Sequence, residues 1–297
     1  MVSPLVLSLK KQKNYYGSRI CILSPAKINL YLNIVGKYPG GFHQIESIVE
    51  RISLSDEIDI QIKKDPSIKI TSNQKSLETD QNLVIKAAKL IKKKFKIPFG
   101  FYFSLKKNIP IGSGLGGGSS NAASTLIGLN TVLDLDLPQE ELYELGAKLG
   151  SDVNFFLSQS NFALLRGRGE KVKPLEINKK FKHFIIWPGV SVSTKNVYKN
   201  TRVKLTKFFN NANILQYALS RGDIFLIKKS IFNALEKGSF LVCSELKKAK
   251  EYLRKKSIFS MVTGSGSALY TIGDDSSISK LKNFLPAGWA VFDVKTF

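Results

Sequence analysis

The sequence predicts an α+β protein with strands and helices interspersed in both halves of the chain, and three observations lead there. Short apolar alternations recur, as in Ile28, Leu30, Leu32 and Ile34, and a two-residue period marks a half-buried strand. Between them lie stretches of helical spacing, such as Leu83, Ala87, Leu90 and Ile91 within Asp80–Phe95. The 297 residues are 43% hydrophobic and 23% charged, enough to bury a large core and to form two domains.

Residues 1–17 read as a loosely held extension. Arg19–Gly36 predicts a strand, a break at Pro25 and a second strand. The turn cluster Lys37-Tyr-Pro-Gly-Gly41 follows, then His43 and a short helix. Ile52–Ile62 and Ile68–Thr71 are predicted strands, Asp80–Phe95 a helix and Phe99–Leu105 a strand. Helices are expected over Ser119–Leu133 and Pro138–Leu149, and a hairpin over Phe162–Leu165 and Lys171–Leu175, turning at Gly167 and Gly169. The second half opens on the apolar strand His183–Trp187 and continues with helical stretches around 211–235 and 243–256. The strands Phe259–Val262 and Ala268–Ile272, a helix over 276–284 and a last strand Ala290–Val294 complete an α+β unit. The two halves are expected to pack around a shared cleft.

The segment richest in chemistry is Pro110-Ile111-Gly112-Ser113-Gly114-Leu115-Gly116-Gly117-Gly118-Ser119-Ser120, in which five of eleven residues are glycine. Such a run lets the backbone approach a bulky anion and turn its N–H groups inward. The helix expected behind it adds unpaired N–H groups and the positive end of its dipole. The run therefore reads as a phosphate cradle for a nucleotide. Gly112–Gly117 also matches the dinucleotide pattern GxGxxG, with Asp134 and Asp136 further on. Lys106-Lys-Asn-Ile-Pro110, however, separates the strand from the glycines. The Walker pattern fails, because no lysine follows Gly117 or Gly118. A purely structural turn is the remaining alternative, and it rarely needs so many glycines beside paired serines.

Composition narrows the classes. No apolar run approaches the roughly 20 residues of a membrane-spanning helix, and the first residues lack the order of charge and apolar run found in a secretion signal. Cys21 and Cys243 are the only cysteines, so neither a disulfide framework nor a metal cluster is expected. The net charge of +22 raises a nucleic-acid reading. Its lysines are dispersed over the chain, and aromatics do not alternate with them as a stacking platform requires. Solvated lysines are the simpler account, with faster capture of small polyanions as their consequence. His183 on an apolar strand reads as a satisfied core residue, and Phe155 and Phe156 as core.

Ser24-Pro-Ala-Lys-Ile-Asn-Leu30, the cradle, and Val262-Thr-Gly-Ser-Gly-Ser267 stand in the order found in the GHMP kinases, named for galactose, homoserine, mevalonate and phosphomevalonate members. From about Ser24 onward the chain resembles them. Lys27-Ile-Asn29 with Gly41-Phe-His43, and Leu149-Gly-Ser-Asp-Val-Asn-Phe-Phe156, are similar to members whose acceptor is a cytidine diphosphate conjugate of isoprenoid biosynthesis. The resemblance implies a two-domain GHMP kinase fold. Its N-terminal domain carries a left-handed βαβ unit, like ribosomal protein S5 domain 2, and its C-terminal α+β domain is ferredoxin-like. The chain then divides into an extension over 1–17, an N-terminal domain over 18–178 and a C-terminal domain over 179–297.

Carried over by position, Lys27 and Asp152 match the catalytic pair, and Asn29, Phe42, His43 and Tyr198 line the acceptor pocket. Pro110 to Ser120 match the ATP loop, with Asn82 and Lys107 near the nucleoside. Phe42 stands where tyrosine is usual, and Asn154 where proline is frequent. Phosphoryl transfer requires alignment and charge stabilisation. Asp152 would take the acceptor proton, while Lys27 holds Asp152 ionised and offsets charge on the phosphoryl oxygens. The plain alternatives are an exposed lysine and an N-cap aspartate. The implied cofactor is ATP with Mg2+ carried on its phosphates, Ser120 being a further oxygen, and no metal is held by the protein itself. The expected partner is a small molecule, with no nucleic acid and no membrane, in a cytoplasmic monomer or homodimer. A mevalonate- or homoserine-type kinase, or a basic nucleic-acid-binding protein, are the competing readings.

Overall fold

The computed structural model describes residues 3–12, 14–201, 211–273 and 285–297. The chain forms two compact units that interleave along the sequence. The first comprises Met1–Ala26, Ser55–Ile109 and Gly117–Gln159, and the second Lys27–Leu54, Pro110–Gly116 and Ser160–Phe297. Two long strands run through both: β2 (Arg19–Lys37) and β3 (His43–Lys63).

In the first unit the strand order is β1 (Val6–Lys10), β2, β3, β5 (Gly100–Lys106), β4 (Ile68–Ser72). β4 and β5 are parallel, and α1 (Leu83–Lys94) lies between them in sequence, which makes a βαβ unit. α1 has the predicted apolar face, with Val84, Ile85, Ala87, Ala88 and Ile91 buried, and lysines in its last turn facing the negative end of its dipole. α2 (Gly117–Val132) is buried on nearly every side and packs against α1. α3 (Gln139–Leu149) and the short α4 (Val153–Leu157) complete this layer.

Two expectations for this unit are corrected. The N-terminal extension contains β1, which pairs antiparallel with β2 from Val6↔Ile22 to Lys10↔Arg19. β2 also passes through Pro25 without a break. Pairing with β1 ends by Leu23, whose N–H reaches the Leu5 carbonyl. Proline is tolerated where a strand edge needs no further donor.

In the second unit β3 pairs with β6 (Phe162–Gly167), which forms the predicted hairpin with β7 (Lys171–Pro174). The segment after His43 is the start of β3 and not the expected short helix. A four-stranded antiparallel sheet has the order β10 (Met261–Val262), β11 (Leu269–Ile272), β8 (Lys182–Trp187), β12 (Ala290–Lys295). That is the strand order of a ferredoxin-like domain.

The helical stretch expected over 211–235 resolves into α6 (Asn211–Arg221), α7 (Ile224–Ser230) and the short strand β9 (Phe232–Asn233). α5 (Thr194–Asn200) precedes them, and α8 (Glu236–Val242) and α9 (Ser244–Lys255) follow. The expected helix over 276–284 lies outside the described residues. His183 is fully buried with Nε2 3.0 Å from the Glu50 carboxylate, and Thr296 donates to Glu50 Oε1 at 2.6 Å. This histidine is therefore an interior residue as expected, but bonded only at Nε2, its buried Nδ1 having no hydrogen-bond partner among the described residues. Among the described residues no helix is long and apolar enough to cross a membrane.

Candidate active site

The second unit brings both glycine loops together against Lys27 and Asn29. The Lys27 N–H donates to the Leu115 carbonyl at 2.9 Å, and the Ala268 N–H to the Ser113 carbonyl at 2.9 Å. Gly114, at φ +80°, leaves no room for a side chain: a Cβ there would lie 2.3 Å from the Thr263 carbonyl oxygen. Gly264, at φ +56°, faces the same place, and its Cβ would lie 3.3 Å from Asn29 Oδ1 and 3.5 Å from Lys27 Nζ. These glycines are required by close approach as well as by backbone conformation. Ser113 Oγ donates to the Pro110 carbonyl at 2.7 Å and stiffens the loop start. Ile111 is exposed, while Leu115 is buried beneath the loop.

Lys27 is only 4% exposed, so the reading of it as an ordinary surface lysine fails. Its Nζ donates to Asn29 Oδ1 at 2.6 Å. Asn29 is anchored in turn by Ser47, Thr263 and Tyr270. Sequence reasoning passed over Ser47 and Tyr270, and named Thr263 only as a member of the second glycine loop.

The first unit holds the other end of the glycine run. Gly117, Gly118, Ser119 and Ser120 open α2. Lys107 lies over this helix start, since a Cβ on Gly117 would be 2.7 Å from its Nζ. Lys107 is paired with the fully buried Asp56. Burial pulls the Lys107 ammonium below its usual value, and Asp56 opposes that shift. Asp56 Oδ1 also accepts from the N–H groups of Asn108 and Ile109, each at 2.8 Å, and Oδ2 from Asn121 Nδ2 at 2.9 Å. This carboxylate thus ties the end of β5 to the first turn of α2. Ser120 is fully buried, and its Oγ accepts from Ser24 Oγ at 3.2 Å, so its hydroxyl is engaged inside the unit.

Asn82 caps α1, its Oδ1 accepting from the Val84 N–H at 2.9 Å and its Nδ2 donating to the Leu77 carbonyl at 2.8 Å. Next to it in sequence, Leu83 reaches the cradle helix, with Cδ1 3.6 Å from where a Gly118 Cβ would stand.

Asp152 precedes α4 at φ −85° and ψ −6°, and its side chain makes no capping bond to that helix. The neighbouring Gly150 lies against the cradle, a Cβ there falling 3.7 Å from Ser119 Oγ. Asn154, in place of the frequent proline, packs against Gly146 of α3, where any Cβ would fall 2.3 Å from its Oδ1. Phe155 and Phe156 are buried, as expected.

The residues expected to line the acceptor pocket lie in the second unit. His43 stacks on Tyr198, with ring centroids 5.1 Å apart and planes inclined at 29°. Phe42 is 60% exposed, and the Arg168 guanidinium lies 5.2 Å above its ring. The register Ile45↔Gly167 carries the hairpin turn to the start of β3, and the positive φ of Gly167 and Gly169 shapes that turn. Burial, with the charge of Lys37 second, lowers the His43 pKa and favours the neutral imidazole.

The paired glycine loops, the buried lysine beneath one of them and the ferredoxin-like sheet define a GHMP-type kinase. The profile of the GHMP kinases N terminal domain matches residues 82–160, and that of the GHMP kinases C terminal matches residues 215–291. The 4-diphosphocytidyl-2-C-methyl-D-erythritol kinase of Geobacillus sp. (strain WCH70) is 36% identical over 270 residues, which cover 90% of this chain and 93% of that protein. That of Prochlorococcus marinus (strain MIT 9312) is 43% identical over 218 residues, or 72% of this chain and 67% of that one. A crystal structure of 4-(cytidine 5'-diphospho)-2C-methyl-D-erythritol kinase superposes with a TM-score of 0.78 at 28% identity, covering 93% of this chain and 98% of the other. The chain belongs to this kinase family within the GHMP kinases.

Proposed function

We propose that the protein transfers the γ-phosphoryl group of ATP to the 2-hydroxyl of 4-diphosphocytidyl-2-C-methyl-D-erythritol, a step of non-mevalonate isoprenoid precursor synthesis. The observation that carries the reading is likeness over nearly the whole length of relatives bearing that name. The convergence of two glycine loops on Lys27 and Asn29 adds a physical reason. Backbone N–H groups of Pro110–Ser120 cradle the triphosphate. The Lys27 ammonium offsets charge that develops on the transferred oxygens, and Asp152 takes the acceptor proton.

Mg2+ is assigned to the ATP phosphates. Among the described residues no group of three or more His, Cys, Asp or Glu side chains is arranged to hold a metal. Hard oxygen ligands from phosphate and water suit this ion. The division at 178/179, a cytoplasmic setting and a monomer or homodimer belong to the same proposal. A coupled ATPase assay over a panel of acceptors tests it: turnover with the cytidine diphosphate conjugate and none with mevalonate or homoserine supports it, and the reverse pattern overturns it.

Specificity for the base is assigned to Phe42 and Tyr198 as stacking faces and to His43 as the reader of its edge. A neutral imidazole offers one donor and one acceptor, as an edge reader needs. His43 lies stacked on Tyr198, which sets the edge reader beside one of the two faces. Base–aromatic stacking contributes about 1–3 kcal/mol. Phe42→Ala is therefore expected to raise KM for the cytidine-linked substrate by about ten- to a hundredfold, with a smaller change in kcat. Phe42→Tyr is expected to be nearly neutral, and His43→Ala to narrow the preference for cytidine over uridine conjugates. Steady-state kinetics with both conjugates decide the matter. A rise in the ATP KM alone would reverse the pocket assignment.

A further inference from the structure

Asn29 sits in a hydrogen-bond chain whose directions follow from its ends. Ser47 Oγ lies 2.5 Å from the Tyr31 carbonyl oxygen, which can only accept, so the Ser47 proton is committed there. Towards its other neighbour, Asn29 Nδ2 at 3.0 Å, Ser47 Oγ must therefore act as acceptor. This settles which end of the Asn29 amide faces Ser47, an orientation that amide chemistry alone leaves reversible. Oδ1 is then aimed at Lys27 Nζ, 2.6 Å away.

Thr263 acts in the same sense. Its Oγ1 accepts from the Asn29 N–H at 3.0 Å, which leaves its own proton for Oδ1 at 3.4 Å. Tyr270 closes the frame by donating its hydroxyl to the Asn29 carbonyl at 3.0 Å, and full burial holds that phenol well above its usual pKa. Ser47, Thr263 and Tyr270 are all fully buried, so water does not compete for these bonds.

We propose that Ser47 is a positioning residue for phosphoryl transfer: it fixes the Asn29 amide, and the amide aims the Lys27 ammonium. Ser47 touches no reacting atom. Without it, the Nδ2 group is left in a buried site with no acceptor. The amide is then held through Oδ1 alone, and its grip on the Lys27 ammonium loosens. The inference rests on the reading of Lys27 as the catalytic cation.

Ser47→Ala is expected to lower kcat about tenfold, the scale of one buried hydrogen bond, with the KM values for ATP and acceptor changed less than about twofold. The decisive comparison is the same substitution in an Asn29→Asp background, followed by single-turnover kinetics. A carboxylate carries no N–H for Ser47 to accept, so Ser47→Ala is expected to cost less than about twofold there. An equal loss in both backgrounds, or an unchanged kcat in the single variant, overturns the inference. Thr263→Val keeps volume and removes the hydroxyl, and an undiminished kcat there also counts against it. If Lys27→Met retains full turnover, the functional reading fails instead, so the two failures are distinguishable.

Discussion

Asp152→Asn is expected to lower turnover by roughly 10²–10⁴, the range over which a positioned general base contributes, while ATP affinity and thermal stability hold. Asparagine keeps the shape of aspartate but loses its negative charge and with it the capacity to take a proton. Aspartate before a short helix is most often a cap, and its loss would then appear as instability. Here the side chain makes no capping bond to α4, so a structural cost of that kind is not expected. Lys27→Met is expected to do comparable damage by removing the cation that offsets developing charge. The double variant should lose less than the product of the two, because groups that serve one transition state act as a unit. Single-turnover rates for the four proteins, with melting curves beside them, provide the check. Full multiplicativity would show that the two residues contribute independently.

The parts of this site that were legible in the sequence are those where chemistry restricts residue type. A glycine run must be glycine where backbone meets backbone, and Gly114 and Gly264 are held to it by neighbours within 2.3 Å and 3.3 Å of any added Cβ. Lys27 stood out because a charge among apolar residues needs a reason, and it is buried as that argument requires. Helix α1 was legible from its face, whereas α2 was found only through its glycines, being buried almost all round and so without amphipathic contrast.

Ser47 was hidden by a misread period. β3 is buried on both faces from Ser47 to Ile52, so the two-residue alternation that marks a strand is absent there. Ile45, Ile48, Val49 and Ile52 instead imitate helical spacing. Read as a helix, the segment gives no reason to set Ser47 beside Asn29. Read as a strand next to β2, it supplies the acceptor for the Asn29 amide. Helix α5 was missed although Ser193 carried a usable signal, since its side chain accepts from the Asn196 N–H. Tyr270 gave none, and Thr263 was visible only as a member of the second glycine loop, because their roles depend on contacts more than 230 residues away in sequence.

Gly114→Ala should abolish useful ATP binding, and Gly118→Ala, four residues on, should leave the fold untouched. At Gly114 two costs add. A non-glycine residue in the left-handed region costs about 1–2 kcal/mol, and overpacking against a neighbour that cannot yield costs typically about 1–3 kcal/mol. The neighbour is the Thr263 carbonyl oxygen, 2.3 Å from the new Cβ, with the Gly266 carbonyl oxygen at 3.0 Å. Backbone cannot move aside as a flexible side chain does, so the loops must separate and the cradle must lose its shape. Converted to binding, the total corresponds to a loss in ATP affinity of roughly thirty- to several-thousandfold. Gly118 lies within helix α2, and a Cβ there would meet only Leu83 Cδ1 at an ordinary 3.6 Å. Alanine favours a helix over glycine by about 1 kcal/mol, so the melting temperature should hold or rise. Any fall in ATP affinity in Gly118→Ala then measures how closely the nucleotide approaches that stretch of backbone, since the free protein has room for the methyl group. Isothermal titration with ATP and thermal melts on both variants separate the cases. If Gly114→Ala binds ATP as the parent does, the loop is a structural turn and the phosphate cradle must be sought elsewhere.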